Sequence, residues 1–62
     1  MKFNLVKKGN GWSEYESENG SISLKFFKTA KSVVMENKEN GELFCLLYEE
    51  LAELVVLKNE NE

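Results

Sequence analysis

Five residue types are absent from this chain of 62 residues: proline, histidine, arginine, aspartate and glutamine. There is a single cysteine, Cys45, so an intramolecular disulfide is excluded, and the lack of histidine excludes an ordinary zinc site. A serine or cysteine nucleophile would need lysine or glutamate as its base, and the chain has no Ser-x-x-Lys motif. The sequence therefore predicts a protein that is not an enzyme, and it indicates no metal or cofactor.

Long apolar segments are also missing. No stretch approaches the roughly 20 apolar residues of a membrane span, and the apolar run in residues 1–8 ends at Lys7 and Lys8, unlike a signal peptide. Cys45 lies in an apolar run, where a free thiol behaves as a small hydrophobic side chain and suits a reducing compartment. We therefore expect a cytoplasmic protein with no membrane partner. The excess of Lys, Asn and Glu is typical of an AT-rich genome, such as that of a low-GC bacterium or a phage.

The short chain limits the stability that one molecule can reach. A domain of this length buries only about 60% of the surface exposed by its unfolded chain. Small domains usually gain stability from disulfides, metals or a second subunit. Since the first two are excluded, we expect a homodimer.

The net charge of −3 is unevenly distributed. Residues 1–35 contain six lysines and three glutamates, a net charge of +3, whereas residues 36–62 contain two lysines and eight glutamates, a net charge of −6. The basic half is compatible with a polyanionic partner, and the acidic half with a basic one.

Alternation and turn residues predict three antiparallel strands in the first half of the chain. Residues 2–8 alternate between apolar and polar side chains. Turns at Gly9–Gly11 and Asn19-Gly20 then delimit strands at 12–17 and 21–29. The third strand is the clearest, because three apolar residues alternate with outward-facing ones: Ile22, Leu24 and Phe26.

The second half changes from strands to a helix. Residues 30–32 indicate a turn or bulge, 33–35 a short strand and 36–41 a polar loop. Leu43–Leu47 is a continuous apolar run, typical of a strand covered on both faces. The following residues have helical spacing, with glutamates opposite one apolar stripe: Leu47, Leu51, Leu54 and Val55.

Together these patterns predict a single α+β domain over residues 1–62. A small antiparallel sheet of about four strands, over about 2–47, is followed by one C-terminal helix over about 48–57 and a frayed tail at 58–62. The helix is expected to lie across one face of the sheet. The predicted core is Ile22, Leu24, Phe26, Leu51, Leu54 and Val55.

Two stretches have the features of a known family. The first contains a Gly-Trp strand, a turn, and an aromatic and basic strand, at Gly11–Glu14, Asn19-Gly20 and Lys25–Lys28. The second contains an apolar strand followed by a Glu-Glu-Leu helix, at Leu43–Leu57. This order resembles the positive cofactor four family of transcriptional coactivators and its small bacterial and phage relatives. The resemblance implies a sheet followed by a helix, and binding of single-stranded DNA.

The candidate ligand-binding residues lie on the third strand and near it. Lys25 and Phe27 are two residues apart and therefore share the face opposite the apolar residues of that strand. Single-stranded nucleic acids are held by aromatic rings that stack on bases and by cations that contact phosphates. The predicted site consists of the following residues: Lys2, Lys8, Trp12, Lys25, Phe27 and Lys31.

The aromatic residues of this site also have structural interpretations. Phe27 would be covered by residues 30–41 or by a second subunit, since large rings are rarely left exposed. Trp12 is either a stacking platform or the lid of a small core.

Two residues near the C-terminus are apolar but lie outside the helical stripe. Val56 and Leu57 are either covered by a second subunit, or the helix ends near Leu54 and these residues are extended. We predict that both lie in a dimer interface.

Two functions are compatible with these observations. The first is a homodimeric protein that binds single-stranded nucleic acid. The second is a small phage or mobile-element protein whose acidic residues 36–62 bind and inhibit a host protein. Glu14 and Glu16 distinguish the two, because on the face of Lys25 and Phe27 they would neutralise the site and favour the second function.

Overall fold

The computed structural model of this chain describes residues 2–60 and contains a β-sheet followed by one helix. The elements are β1 (Phe3–Gly9), β2 (Trp12–Ser17), β3 (Ile22–Phe27), β4 (Ser32–Asn37), β5 (Glu42–Leu47) and α1 (Tyr48–Glu60). All five strands form one antiparallel sheet in the order β1-β2-β3-β4-β5, so each strand pairs with its neighbours in sequence. The predicted α+β class and C-terminal helix are confirmed.

The number and lengths of the elements differ from the prediction. There are five strands rather than about four, because the short piece expected at residues 33–35 is a complete strand of six residues, β4. The turn before β4 is made by Lys31, which has a positive φ of 49° without being glycine. The helix continues to Glu60 rather than ending near 57, so the part of the expected frayed tail before residue 61 is helical. Residues 61–62 lie outside the described residues.

Side-chain hydrogen bonds fix the turn between β2 and β3. Asn19 Oδ1 accepts hydrogen bonds from Ser17 Oγ at 2.9 Å, the Ser21 amide at 3.1 Å and Ser21 Oγ at 2.7 Å. Ser17 Oγ in turn accepts a hydrogen bond from the Ile22 amide at 3.1 Å. Asn side chains favour turns because they can substitute for backbone partners in this way.

The pairing register divides the side chains between two faces of the sheet. We call the first the apolar face, and its apolar and aromatic members are Phe3, Leu5, Tyr15, Ile22, Leu24, Phe26, Val33, Met35, Phe44 and Leu46. The other, the mixed face, carries charged, aromatic and aliphatic residues together: Lys7, Trp12, Glu14, Glu16, Lys25, Phe27, Val34, Glu36, Leu43, Cys45 and Leu47.

The apolar face forms a thin core, which the helix contacts through its first residue, Tyr48, whose ring centre is 6.3 Å from that of Phe26. Val33 is the one apolar side chain that is buried among the described residues, with 5% exposure. Leu51, Leu54 and Val55 of α1 remain 37%, 52% and 55% exposed. The predicted packing of these three residues on the sheet is therefore wrong. The physical reason is the direct junction between Leu47 and Tyr48, which leaves no connecting residues to turn the helix back.

The prediction that residues 43–47 are covered on both faces is also wrong. β5 is the last strand of the sheet and pairs with β4 alone. Its side chains are correspondingly exposed, Leu43 at 64%, Phe44 at 60% and Leu47 at 45%. A continuous apolar run thus marks an edge strand here.

Candidate binding surfaces

The mixed face brings together three of the six residues predicted to bind nucleic acid. Trp12 on β2 pairs directly with Phe27 on β3. Lys25 lies two residues from Phe27, and its Nζ is 5.2 Å from the centre of the Trp12 ring, within the range of a cation–π contact. Lys31 is exposed in the β3–β4 turn, at the same end of the sheet. This end therefore has two half-buried aromatic rings next to lysine.

Gly9 allows the Trp12 ring to lie against the sheet. A Cβ atom at Gly9, which pairs with Trp12 across β1 and β2, would overlap the indole ring. Only a residue without a side chain allows this close approach of a ring to the backbone. The orientation of Trp12, which the sequence left open, is thus towards the mixed face, where the ring covers a glycine.

The two remaining predicted residues do not join this group. Lys8 pairs with Ser13, which places it on the apolar face. The expected alternation is broken by an irregularity between Leu5 and Lys7, so that Lys7 takes the place on the mixed face that was predicted for Lys8. Lys2 precedes β1 and lies at the opposite end of the sheet, where its carbonyl oxygen accepts a hydrogen bond from the Glu18 amide.

Glutamates share the mixed face with the lysines. In the strand register Glu14 lies between Lys7 on β1 and Lys25 on β3, and its Oε1 is 3.9 Å from Lys25 Nζ. Glu16 is on the same face, two residues further along β2. The sequence did not determine whether these glutamates and Lys25 share a face, and the register shows that they do. The face carries two lysines and three glutamates, so it is not a cationic groove.

Lys38, which the sequence did not single out, is the partner of Glu16. Its Nζ donates a hydrogen bond to Glu16 Oε2 at 2.6 Å, between residues 22 positions apart in the chain. This hydrogen bond, and the attraction of the nearby carboxylates, raises the pKa of Lys38 above its ordinary value of 10.5. Residues 36 and 37 of the predicted polar loop belong to β4, and the remaining turn at 38–41 reaches across to β2 through Lys38, which the turn pattern alone did not reveal.

The two edges of the sheet differ in how they are protected. β1 has the irregularity at Leu5–Lys7 and two lysines, both of which discourage pairing with another strand. β5 has neither feature within Leu43–Leu47, and Cys45 is exposed there as a free thiol. We refer to residues Glu42–Leu47 and the free side of their backbone as the β5 edge. It is an apolar edge without these protections, of the kind that pairs with other chains.

Glutamates flank the β5 edge at both ends. Glu39 precedes it and Glu42 is its first residue, and Glu49 and Glu53 follow it on α1; all four are exposed. In the part of the chain whose side chains the structure describes, residues 2–59, none of these four glutamates forms an ion pair. This part of the surface is therefore apolar in the middle and negatively charged at its ends.

The start of α1 is fixed to the end of β5. Glu50 Oε1 accepts a hydrogen bond from the Leu47 amide at 2.9 Å, and the Tyr48 amide donates to the Lys31 carbonyl at 2.8 Å. Glu50 thereby satisfies a backbone donor at the helix N-terminus, where a carboxylate also suits the helix dipole. Beyond this anchored turn, Val56 and Leu57 are each 53% exposed, within a helix rather than an extended end.

No protein-family model, curated protein or solved structure matches this chain. The resemblance to the positive cofactor four family therefore stays a prediction. In the part of the chain that the structure describes, no helix is long and apolar enough to cross a bilayer. Within the same residues, no three carboxylate or thiol groups come together as a metal site.

Proposed function

We propose that this chain is a homodimeric protein-binding module that receives an extended, basic segment of another protein at the β5 edge. The observation that carries the proposal is the unprotected apolar edge strand with glutamates at both ends. An extended peptide can add a strand to such an edge, because the main chain supplies hydrogen bonds and alternate side chains supply specificity. Lysines beside the apolar residues of the partner would meet the flanking glutamates.

The charges of the mixed face support protein binding over nucleic-acid binding. A single-strand groove needs lysines that are free to contact phosphates. Lys25 is instead shared between the Trp12 ring and the Glu14 carboxylate, and Lys7 is opposite the same glutamate. Negative charges within a groove would repel the phosphate backbone. A host protein with a basic site, as expected for an inhibitor from a phage or mobile element, suits the acidic C-terminal half.

Binding at the β5 edge can be tested with a defined peptide. A six-residue peptide of alternating lysine and valine matches the six residues of β5, and its binding can be followed by amide shifts in a ¹⁵N-labelled protein. We expect the largest shifts at Glu42–Leu47, and none with the peptide in which glutamate replaces lysine. Shifts centred on β1, or equal binding of both peptides, would contradict the proposal.

A pair of charge reversals provides the control within the protein. Glu42→Lys replaces an exposed glutamate at the β5 edge, and Glu18→Lys replaces an exposed glutamate in the β2–β3 turn, which β4 separates from β5 in the sheet. Loss of one close charge pair in water is worth about 1 kcal/mol, or about fivefold in affinity. Because Glu42→Lys also adds a repulsion of similar size, we expect it to weaken binding of the lysine peptide by about 2 kcal/mol, or about thirtyfold, and Glu18→Lys to have little effect.

The homodimer in this proposal is supported by the exposed apolar residues of α1, including Val56 and Leu57. A helix with apolar residues outside its main stripe usually packs on more than one partner. Sedimentation equilibrium should give twice the monomer mass of 7.2 kDa. A monomer mass at high protein concentration would rule out the dimer and leave edge binding to be judged by the peptide.

A second candidate function is binding of single-stranded nucleic acid. The observation in its favour is the grouping of Trp12, Lys25 and Phe27 on one face, with Lys31 at the same end. If bases stack on the indole ring, single-stranded oligonucleotides at low salt should quench the Trp12 fluorescence. Each phosphate contact should contribute a slope of about −0.7 to the dependence of log K on log salt concentration.

A single substitution distinguishes the two functions. Glu14→Gln removes the carboxylate next to Lys25 and leaves the shape of the side chain unchanged. Under the nucleic-acid hypothesis it should increase affinity for oligonucleotides, because Lys25 becomes available to a phosphate. Under the first proposal neither the original chain nor the Glu14→Gln variant quenches, and peptide binding at the β5 edge is the same in both.

A further inference from the structure

The apolar face of the sheet has no covering layer within a single chain. An open groove of about 310 Å³ runs along it, lined by Phe3, Ser13, Tyr15, Leu24 and Phe26. Tyr15 and Phe26 meet edge to face, with their ring centres 5.7 Å apart, and hold one wall of the groove. A sheet with one apolar face is stable when another element packs on that face.

The helix has a matching apolar stripe, but the stripe does not pack on this face of its own sheet, which the helix contacts at Tyr48, 6.3 Å from Phe26 between ring centres. Leu51, Leu54 and Val55 are the residues whose spacing suits packing on a sheet, and all three are exposed. The direction of α1 is set where β5 ends, by the hydrogen bonds of the Leu47 and Tyr48 amides. The structure thus contains both surfaces of one interface, held apart by the direct junction between strand and helix.

The exposed area is larger than that of a self-sufficient domain. The chain exposes 5,006 Å², whereas a folded monomer of 7.2 kDa is expected to expose about 4,100 Å². The excess of roughly 900 Å² is close to the area of about 800 Å² that each partner buries in a standard interface. A second copy that covered both surfaces would account for this excess.

We infer that α1 of each protomer packs in the groove on the apolar face of a second copy, in a reciprocal exchange of helices. This inference rests on the homodimer of the proposed function and specifies how its two copies meet. A two-fold axis makes the exchange self-complementary, so each copy both gives a helix and receives one. Sheet-to-sheet packing of the apolar faces would leave the stripe on α1 uncovered, whereas the exchange covers both.

Cysteine cross-linking between two different variants tests the exchange. Both chains carry Cys45→Ser; one also carries Leu24→Cys in the groove and is ¹⁵N-labelled, and the other carries Leu54→Cys on the helix. The chains are refolded together and oxidised, and mass spectrometry distinguishes mixed from identical pairs. Random association places about half of the chains in mixed pairs, and we expect these to be cross-linked. A partner chain with Val34→Cys, on the mixed face, is the control and should give no cross-link.

Each outcome decides the inference. Cross-linked mixed pairs support the exchange. Cross-links only between Leu54→Cys chains mean helix-to-helix packing, cross-links only between Leu24→Cys chains mean sheet-to-sheet packing, and either result overturns the exchange. A dimer mass without cross-links also overturns it but leaves the homodimer, whereas a monomer mass overturns both. If circular dichroism shows that the Leu24→Cys chain is unfolded, Phe3→Cys on the groove takes its place with the same outcomes.

Discussion

Two identical substitutions in different surroundings test where the core of the single chain lies. Val33 is 5% exposed on the apolar face, and Val56 is 53% exposed on α1. Replacing valine by alanine removes about two buried methyl groups at Val33, each worth about 0.8 kcal/mol, and leaves a small cavity. We therefore expect Val33→Ala to lower the free energy of unfolding by about 2 kcal/mol.

The same substitution at Val56 should behave differently in a dilute solution. About half of its apolar area is already in water, so the transfer loss is about 0.8 kcal/mol, and the higher helix propensity of alanine returns about 0.5 kcal/mol. The net cost in an isolated chain is close to zero. In a homodimer that buries Val56, the cost should rise as the protein concentration is raised.

Urea unfolding followed by Trp12 fluorescence measures both effects at several protein concentrations. With a slope of about 1 kcal/mol per molar urea for a small domain, Val33→Ala should lower the midpoint by about 2 M. An equal loss for Val33→Ala and Val56→Ala at the highest dilution would refute the assignment of the core to the sheet. Midpoints of the original chain that do not change with concentration would contradict a dimer coupled to folding.

Three further predictions follow from particular contacts. NMR titration should give a Lys38 pKa above 10.5, and Glu16→Gln should lower that pKa. Because folding raises the pKa of Lys38, its ion pair with Glu16 stabilises the folded chain fully below the pKa of the unfolded state. This stabilisation is lost as the pH rises through the pKa of the folded state. Gly9→Ala should destabilise the sheet by about 1–3 kcal/mol and shift the tryptophan emission, because the new methyl group displaces the indole ring. Asn19→Ala removes an acceptor of three hydrogen bonds and should lower the free energy of unfolding by about 1–2 kcal/mol. Asn40→Ala removes an acceptor of one hydrogen bond and should cost less. Thermal unfolding compares Gly9→Ala, Asn19→Ala and Asn40→Ala.

The turns of the sheet were predictable from local chemistry. Their spacing also leaves room for a complete strand, β4, where only a short one was predicted at residues 33–35. Positive φ values occur at Gly11, Gly20 and Gly41, in each case directly after an asparagine. The gap between the second and third of these turns is twice as long as that between the first two. One more turn in its middle, at Lys31, completes a regular series of hairpins. The sequence predicted this position only as a turn or bulge at residues 30–32, because Ala30-Lys31 has none of the residues that favour a positive φ.

Other features depended on geometry that local patterns do not encode. The irregularity in β1 moved Lys8 to the apolar face, although the neighbouring pairs of apolar and basic residues at 5–8 were a sign of broken alternation. The helical stripe was recognised, but periodicity shows only that a helix needs an apolar surface and not whose surface it is. The ion pair between Lys38 and Glu16 joins distant parts of the chain, so no local pattern predicted it.

Because every strand pairs with its neighbours in sequence, the sheet closes only short loops as it forms. Each hairpin can therefore add to the previous one as the chain is synthesised, and β5 and α1 appear after β1–β4. Refolding should show a first phase whose rate is independent of protein concentration, as each sheet forms within one molecule. A second phase, as two copies meet, should become faster in proportion to concentration. The β5 edge is therefore available for pairing only after the rest of the sheet has formed. The time for which it stays unpaired depends on the concentration of its partner.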